Sequence, residues 1–354
     1  MIKRVLFLFF FIAISEPSFA EFNNISLLNK IEIENYYDSN IIKLSSKSID
    51  DFKHSVNPAK FHINSVDDIV TSVRHELGIK HRLITGHTQI DRIIFKYNKF
   101  WNNSIKNYHY FGAELKQYFS RNFNILLKYL YFPHIYINHY NSLLDDENIY
   151  RKFSYSKNIY RSGLNLKLIY LIHFGYQFEY SQNYYNKYFG EYDSDDFKNL
   201  LAVTIFPYEN LRLKFRYSYK QSLAQADKAF DDITGMNEIR DPSYESDIYY
   251  GAITIPIKSL DFAKDLRLFI SLEFENRFFQ SKYLPSTDPY HSGRKDNIFK
   301  FEGSLIYPFF FIFDIKVFYN FETRNVSAPA GNFVSDEKEY SVKKVGFGIK
   351  INFD

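Results

Sequence analysis

From Leu211 to Lys220 the chain alternates without a break, with Leu211, Leu213, Phe215, Tyr217 and Tyr219 at odd positions and Arg212, Lys214, Arg216, Ser218 and Lys220 at even ones. In an extended strand successive side chains point to opposite faces, so this segment makes one apolar and one polar face; a helix would mix both sets around its circumference. Leu266, Leu268, Ile270, Leu272 and Phe274 alternate in the same way with Arg267, Ser271, Glu273, Glu275 and Arg277, and only Phe269 breaks the pattern. Phe313, Ile315, Val317, Tyr319 and Phe321 against Asp314, Lys316, Asn320, Glu322 and Arg324 repeat it once more.

Continued along the chain, the alternation predicts strands near 30–38, 69–82, 88–100, 106–119, 123–136, 157–170, 172–184, 195–206, 211–221, 244–257, 265–279, 293–307, 312–325 and 338–353. Tight connections, at Thr85-Gly86-His87, Ser120-Arg121-Asn122, Leu171, Pro207–Asn210, Lys258–Lys264 and Pro308–Phe311, take turns with mostly longer polar ones. Short periplasmic turns alternating with long extracellular loops are the signature of a transmembrane β-barrel. An even strand count lets the first and last strands close antiparallel and leaves no exposed edge. The expectation is therefore an all-β chain folded as a single antiparallel transmembrane barrel of about 14 strands, with about 12 or about 16 as alternatives.

The start of the chain supports export. Lys3 and Arg4 precede an apolar run from Val5 to Ile14, and Ser18-Phe19-Ala20 ends it ahead of Glu21. That order reads as a signal peptide over residues 1–20, cleaved after Ala20, followed by a barrel domain over 21–354. Its apolar run is about half the ~20 residues that a spanning helix needs. The sequence holds no cysteine, which removes disulfide frameworks, thiolate metal sites and a lipid-modified N-terminal Cys. Aromatic residues reach 20%, nearly all Tyr and Phe, while 24% of residues remain charged. Aromatic girdles and strands apolar on one face only require that combination. An extracytoplasmic sandwich or solenoid would also alternate, but no linker, composition shift or Gly-rich repeat divides the chain as those folds would.

At the end of the sequence, Lys344, Gly346, Phe347, Ile349, Ile351 and Phe353 make a polar residue, a glycine and alternating apolar positions that close on an aromatic, with Asp354 after it. This resembles the C-terminal signal by which outer-membrane barrels are recognised by their assembly machinery. Tyr36-Tyr37-Asp38-Ser39-Asn40 on the first strand looks like the Y-D-S-N opening of some porin-like barrel families. The resemblance implies the Gram-negative outer membrane as location, with lipid and the barrel assembly machinery as partners.

If the apolar face meets lipid, the polar face lines the lumen. It carries Arg74, Arg92, Arg161, Lys167, Arg212, Lys214, Arg216, Lys220, Arg267, Arg277, Lys316 and Arg324 with Glu273 and Glu275, besides bases such as Lys80, Lys96, Lys116 and Lys198. Bases outnumber acids on that face, while acidic loops such as Asp145-Asp146-Glu147, Glu191–Asp196 and Asp231-Asp232 bring the whole chain to +3. Rings of Arg and Lys favour anions in a wet pore. The expected function is a passive or gated porin-like channel for small polar or anionic solutes. The alternative is a closed structural or adhesive barrel whose loops bind a partner, its charged side chains knitted into a packed interior. The connection from Ser39 to Asp68, with Ser48-Ile49-Asp50-Asp51 able to cap a short helix, allows an infolded constriction or an ordinary surface loop, the latter preferred.

An enzyme is not expected. Asp288-Pro289-Tyr290-His291-Ser292-Gly293-Arg294-Lys295-Asp296 is the one suggestive constellation, and it reads as a loop-stabilising cluster rather than a catalytic set. His75, His109 and His173 fall on strands, and His134 and His139 in a loop region, none with metal-ligand spacing. Neither a cofactor nor a metal is expected, and nucleic acid is excluded as a partner by the small, dispersed net charge.

Overall fold

The computed structural model describes residues 25–82, 87–142, 149–208, 211–226, 240–257, 265–310 and 312–353. Residues 1–20, read as a signal peptide, lie outside that set, as do 85–86, 145–147, 209–210, 231–232, 258–264 and 311 of the connections read from the sequence. Fourteen strands run in order: β1 (Ile25–Asp38), β2 (Asp68–His81), β3 (Gln89–Phe100), β4 (Tyr108–Tyr118), β5 (Phe123–Asn141), β6 (Tyr150–Ile169), β7 (Ile172–Tyr185), β8 (Ser194–Tyr208), β9 (Leu211–Ala224), β10 (Tyr244–Pro256), β11 (Arg267–Phe279), β12 (Lys295–Phe309), β13 (Phe313–Ser327) and β14 (Tyr340–Phe353). Each pairs antiparallel with its sequence neighbours, and β1 pairs with β14 from Asn29↔Phe353 to Asp38↔Lys344, closing the barrel. Closure leaves no free sheet edge around the middle of the barrel, as a bilayer would demand.

The alternation expected from the sequence sorts the two faces. Ile93, Phe215, Val317 and Phe347 are more than half exposed, whereas Lys214, Arg216 and Lys316, one position away, stand on the opposite face. Exposed Tyr170, Tyr208 and Phe310 mark the rim with short turns, an aromatic girdle of the kind that sits at a membrane interface. Gly346 faces inward, where a Cβ would lie 2.9 Å from the Phe318 ring and collide with Tyr36 and the backbone of Asn35. The rings of Tyr36 and Phe318, 6.0 Å apart, pack across the space that this glycine leaves free.

Two expectations fail here for physical reasons. Strands β5 and β6 run on to Asn141 and back to Tyr150, instead of ending at 136 and starting at 157, and His134 and His139 are strand residues rather than loop residues. Register shifts between Phe132 and Ile135 and between Tyr136 and Asn138 put β5 out of period two. Pro133, which cannot donate to a ladder, sits at the first of them.

The connection after β1 is the second. It is not a surface loop, because Ile41, Ile42, Leu44, Phe61 and Ile63 bury against Val70 of β2, Phe100 of β3 and Tyr136 of β5. Val70 and Phe100 share the face of Arg74 and Lys96, so the loop folds inward. Each such side chain contributes about 1.5–3 kcal/mol by leaving water. Helix α1 (Ser46–Lys53) follows, and its cap is Ser45, whose hydroxyl accepts from the Ser48 amide at 3.1 Å, not Ser48 itself. The Asp68 carboxylate completes the fold by accepting the amides of Trp101, Asn102 and Asn103 at 2.8–3.1 Å.

Candidate functional site: the inner wall and its two ends

Cross-strand register decides which inner charges meet. Arg92, Glu114 and Lys128 lie opposite one another on β3, β4 and β5, and Glu114 receives both bases at 2.8 and 2.9 Å. Arg74 reaches Glu76 at 2.7 Å, and Arg161 reaches Glu179 at 2.6 Å. On the far wall Glu273 lies 2.8 Å from Lys300 and 3.8 Å from Arg216, whose guanidinium stacks 3.6 Å over the Tyr250 ring. Arg277 holds Glu275 at 2.8 Å and lies over Tyr244, while Lys220 meets Asp196 at 3.0 Å. Lys316 bridges Glu302 and Glu34, and Arg267 shares Asp314 with Lys350. Arg324 lies 3.8 Å from Asp296 and donates to the Lys338 carbonyl.

The sequence-selected residues thus divide in two. Most are knit into pairs; Lys167, Arg212 and Lys214 have no carboxylate within salt-bridge distance among the described residues, and neither do Lys80, Lys96, Lys116 and Lys198. Lys80, Lys116, Lys167, Arg212 and Lys214 stand toward the short-turn end of their strands, while Lys96 and Lys198 stand farther along the wall, so most of the surplus of base over acid lies at one mouth.

The other mouth is bridged. A contact between strands or loops that are not neighbours in the barrel must cross the opening, and several do. The Tyr192 ring, in the β7–β8 connection, packs 5.9 Å from His291, in the β11–β12 connection. A second helix, α2 (Asn332–Lys338), joins β13 to β14 and sends Lys338 over Tyr140 of β5 and Tyr290, each at 5.1 Å. Lys43, from the infolded loop, reaches Glu322 of β13 at 2.6 Å. Lys43 was not selected from the sequence, since nothing local marks a loop lysine as inward-bound.

The Asp288–Asp296 segment is one strut of this cover. Asp288 is 1% exposed; it accepts from Ser281 and from the Asp241 amide, and holds His291 Nδ1 at 2.8 Å. The hydroxyl of Ser281 therefore serves the carboxylate rather than the imidazole, which suits a tether and not a nucleophile. Among the described residues no cluster of three or more metal-ligating side chains forms.

No protein-family profile matches the chain, and no curated protein matches it. Solved structures that resemble it include the outer membrane channel DcaP of Acinetobacter baumannii, with 10% identity, 95% of this chain and 99% of that chain covered and a TM-score of 0.48. The outer membrane protein OmpT of Vibrio cholerae shares 8% identity over 93% of this chain and 97% of its own, with a TM-score of 0.47. An anion-selective porin from Comamonas acidovorans shares 7% over 93% and 99%, with a TM-score of 0.44. The likeness is one of coarse shape and carries no information on what this barrel binds.

The cover has a built-in pH dependence. Burial pushes the Lys338 ammonium down to about 7, with Arg294, Arg324 and Lys60 adding repulsion and Glu337 opposing it. Burial likewise holds His291 below its ordinary 6.5 against the pull of Asp288. A packed lysine with a depressed pKa binds fewer protons than a released one, so packing strengthens as pH rises from about 7 to 10.5 and is constant in this respect below that window. His291 adds the same sign below 6.5. Amide exchange in 328–339, corrected for its intrinsic rate, is expected to slow across the alkaline window, and Lys338→Met to flatten that slope. An unchanged slope in Lys338→Met removes Lys338 as the cause.

Proposed function

We propose that the chain spans a bacterial outer membrane as a gated, porin-like channel for small polar solutes, with anions preferred. Both described ends of the chain lie at the short-turn rim, which becomes the periplasmic side, and the bridged rim faces outward. The charge balance of the inner wall carries the reading. Its glutamates, from Glu32 to Glu322, all have cationic partners, whereas Lys80, Lys116, Lys167, Arg212 and Lys214 have none among the described residues. A wall neutralised except for surplus bases attracts anions into water-filled space. The outward apolar face with its aromatic rim is what lipid would cover. Assembly through the C-terminal segment Gly346–Phe353 belongs to the same reading, and Gly346→Ala, which crowds Tyr36, separates that role from packing only if folding in vitro survives it.

Single-channel conductance of residues 21–354 in a planar bilayer, with reversal potential under a salt gradient, tests the proposal. Anion-selective steps are expected; a folded barrel that never conducts, or one that selects cations, overturns it. The gate makes its own forecast. Lys43→Ala leaves Glu322 with the Tyr340 hydroxyl at 2.6 Å but frees the infolded loop from β13, so the open fraction is expected to rise severalfold. An unaltered open fraction assigns the restriction to the other loops.

A further inference from the structure

A cavity of about 440 Å³ lies at the short-turn rim, between the adjoining ends of β2 and β3 and the turn from β4 to β5. Lys80, Arg82 and Arg121 line it together with the hydroxyl-bearing Thr88, Tyr118 and Ser120, and among the described residues no carboxylate does. Most of these positions share the inward face of their strands, as Lys80 opposite Ile90 and Ile90 opposite Lys116 show, so the cavity opens toward the lumen mouth and not the lipid. The nearest acids are already committed. Asp91 points to the other face, where it holds His81 at 2.8 Å and Gln89, and Glu114 is neutralised by Arg92 and Lys128.

Local hydrogen bonds set two of these positions. Arg82 Nε donates to Thr88 Oγ1 at 3.4 Å, a long bond near the surface that leaves the terminal guanidinium nitrogens to other acceptors. Ser120 Oγ accepts the amides of Asn122 and Phe123, each at 3.1 Å, and so sets the turn that presents Arg121. Lys116, 4.8 Å over the Tyr118 ring, adds a further cation beside it. Two guanidinium forks, an ammonium and hydroxyl donors around a space without negative charge are complementary to a tetrahedral oxyanion or a carboxylate.

We propose that this cavity is an oxyanion-binding site, loaded from the periplasmic side, for free phosphate or sulfate or for a small solute bearing such a group. The site goes beyond conduction, since it would bind in a barrel that stays shut. Surplus bases at Lys167, Arg212 and Lys214 around the same rim raise the local anion concentration, but the cavity supplies the directed donors.

The test is equilibrium dialysis of radiolabelled sulfate against the refolded, heat-modifiable protein in neutral detergent, with inorganic phosphate as competitor. Saturable binding is expected, weakened about tenfold or more in Arg82→Gln/Arg121→Gln, where two charge-assisted donors go. The control pair Arg212→Gln/Lys214→Gln removes equal charge from the same rim and is expected to change affinity by about twofold or less, the share of a diffuse field. Equal losses in both pairs, or no saturable binding, overturn the site. Displacement of sulfate by short-chain phosphatidylglycerol but not by phosphate overturns the free-anion assignment in favour of a lipid headgroup. Because no current is measured, a barrel that conducts yet binds no sulfate sinks the site alone, and one that binds sulfate yet never conducts sinks the channel alone.

Discussion

Asp296→Ala is expected to cost the folded barrel about 3–5 kcal/mol, because it strips the partner from charges already out of water. Asp296, at the loop end of β12, is 0% exposed and receives Arg294 in a two-pronged bond, Nε to Oδ1 at 2.8 Å and Nη2 to Oδ2 at 3.0 Å. Arg324 of β13 approaches the same carboxylate at 3.8 Å. With the carboxylate gone, Arg294 retains the Tyr290 carbonyl and its stacking 3.7 Å over Phe279, but no carboxylate within salt-bridge distance among the described residues. Repulsion between the buried Arg294 and the half-buried Arg324 then falls on the β11–β12 loop and on α2, which Arg324 ties through the Lys338 carbonyl. Urea unfolding in lipid vesicles, followed by the fluorescence of Trp101, the single tryptophan, reads the loss. A cost under about 1 kcal/mol, the range of exposed pairs, would mean that water reaches this cluster.

That cluster marks where the sequence stopped being legible. Sorting residues onto two faces needed only period two, so strands such as β9 and β13 could be placed within a few residues of their observed bounds. Choosing partners needed register as well. Arg92 and Glu114 are directly opposite, while Lys316 reaches Glu34 across the width of β14, a contact that no local pattern announces. Bulges are harder still, since one extra residue beside Pro133 and another at Ile137 turn period two into noise and hid the last quarter of β5.

The infolded loop was illegible for a different reason. Ile41, Ile42, Leu44, Phe61 and Ile63 carry neither helical nor strand periodicity, and their burial depends on an inward apolar patch assembled from β2, β3 and β5. Only closure of the sheet brings Val70, Phe100 and Tyr136 to one place. The same holds for the basic cavity at the other rim: its bases could be assigned to a face, but the ends of β2 and β3 had to meet the turn after β4 before they lined one space.

The face assignment itself can be put at risk. Phe215→Arg is expected to destabilise the barrel in a bilayer by about 2–4 kcal/mol, with Leu213→Arg and Ile270→Arg following in proportion to their depth. Phe215 is 54% exposed on the outer face of β9, so an arginine there meets acyl chains unless it snorkels to an interface. Lys214, the adjoining residue, points inward and has no carboxylate partner among the described residues, so Lys214→Ser strands no buried acid and is expected to cost about 0.5 kcal/mol or less. The contrast between neighbours is the informative quantity, because a one-residue slip of β9 against β8 and β10 would exchange the two faces and reverse it. Urea midpoints of the two variants in the same vesicles decide the matter: equal tolerance at 214 and 215 would sink the register, and with it the basic inner wall from which the channel was argued.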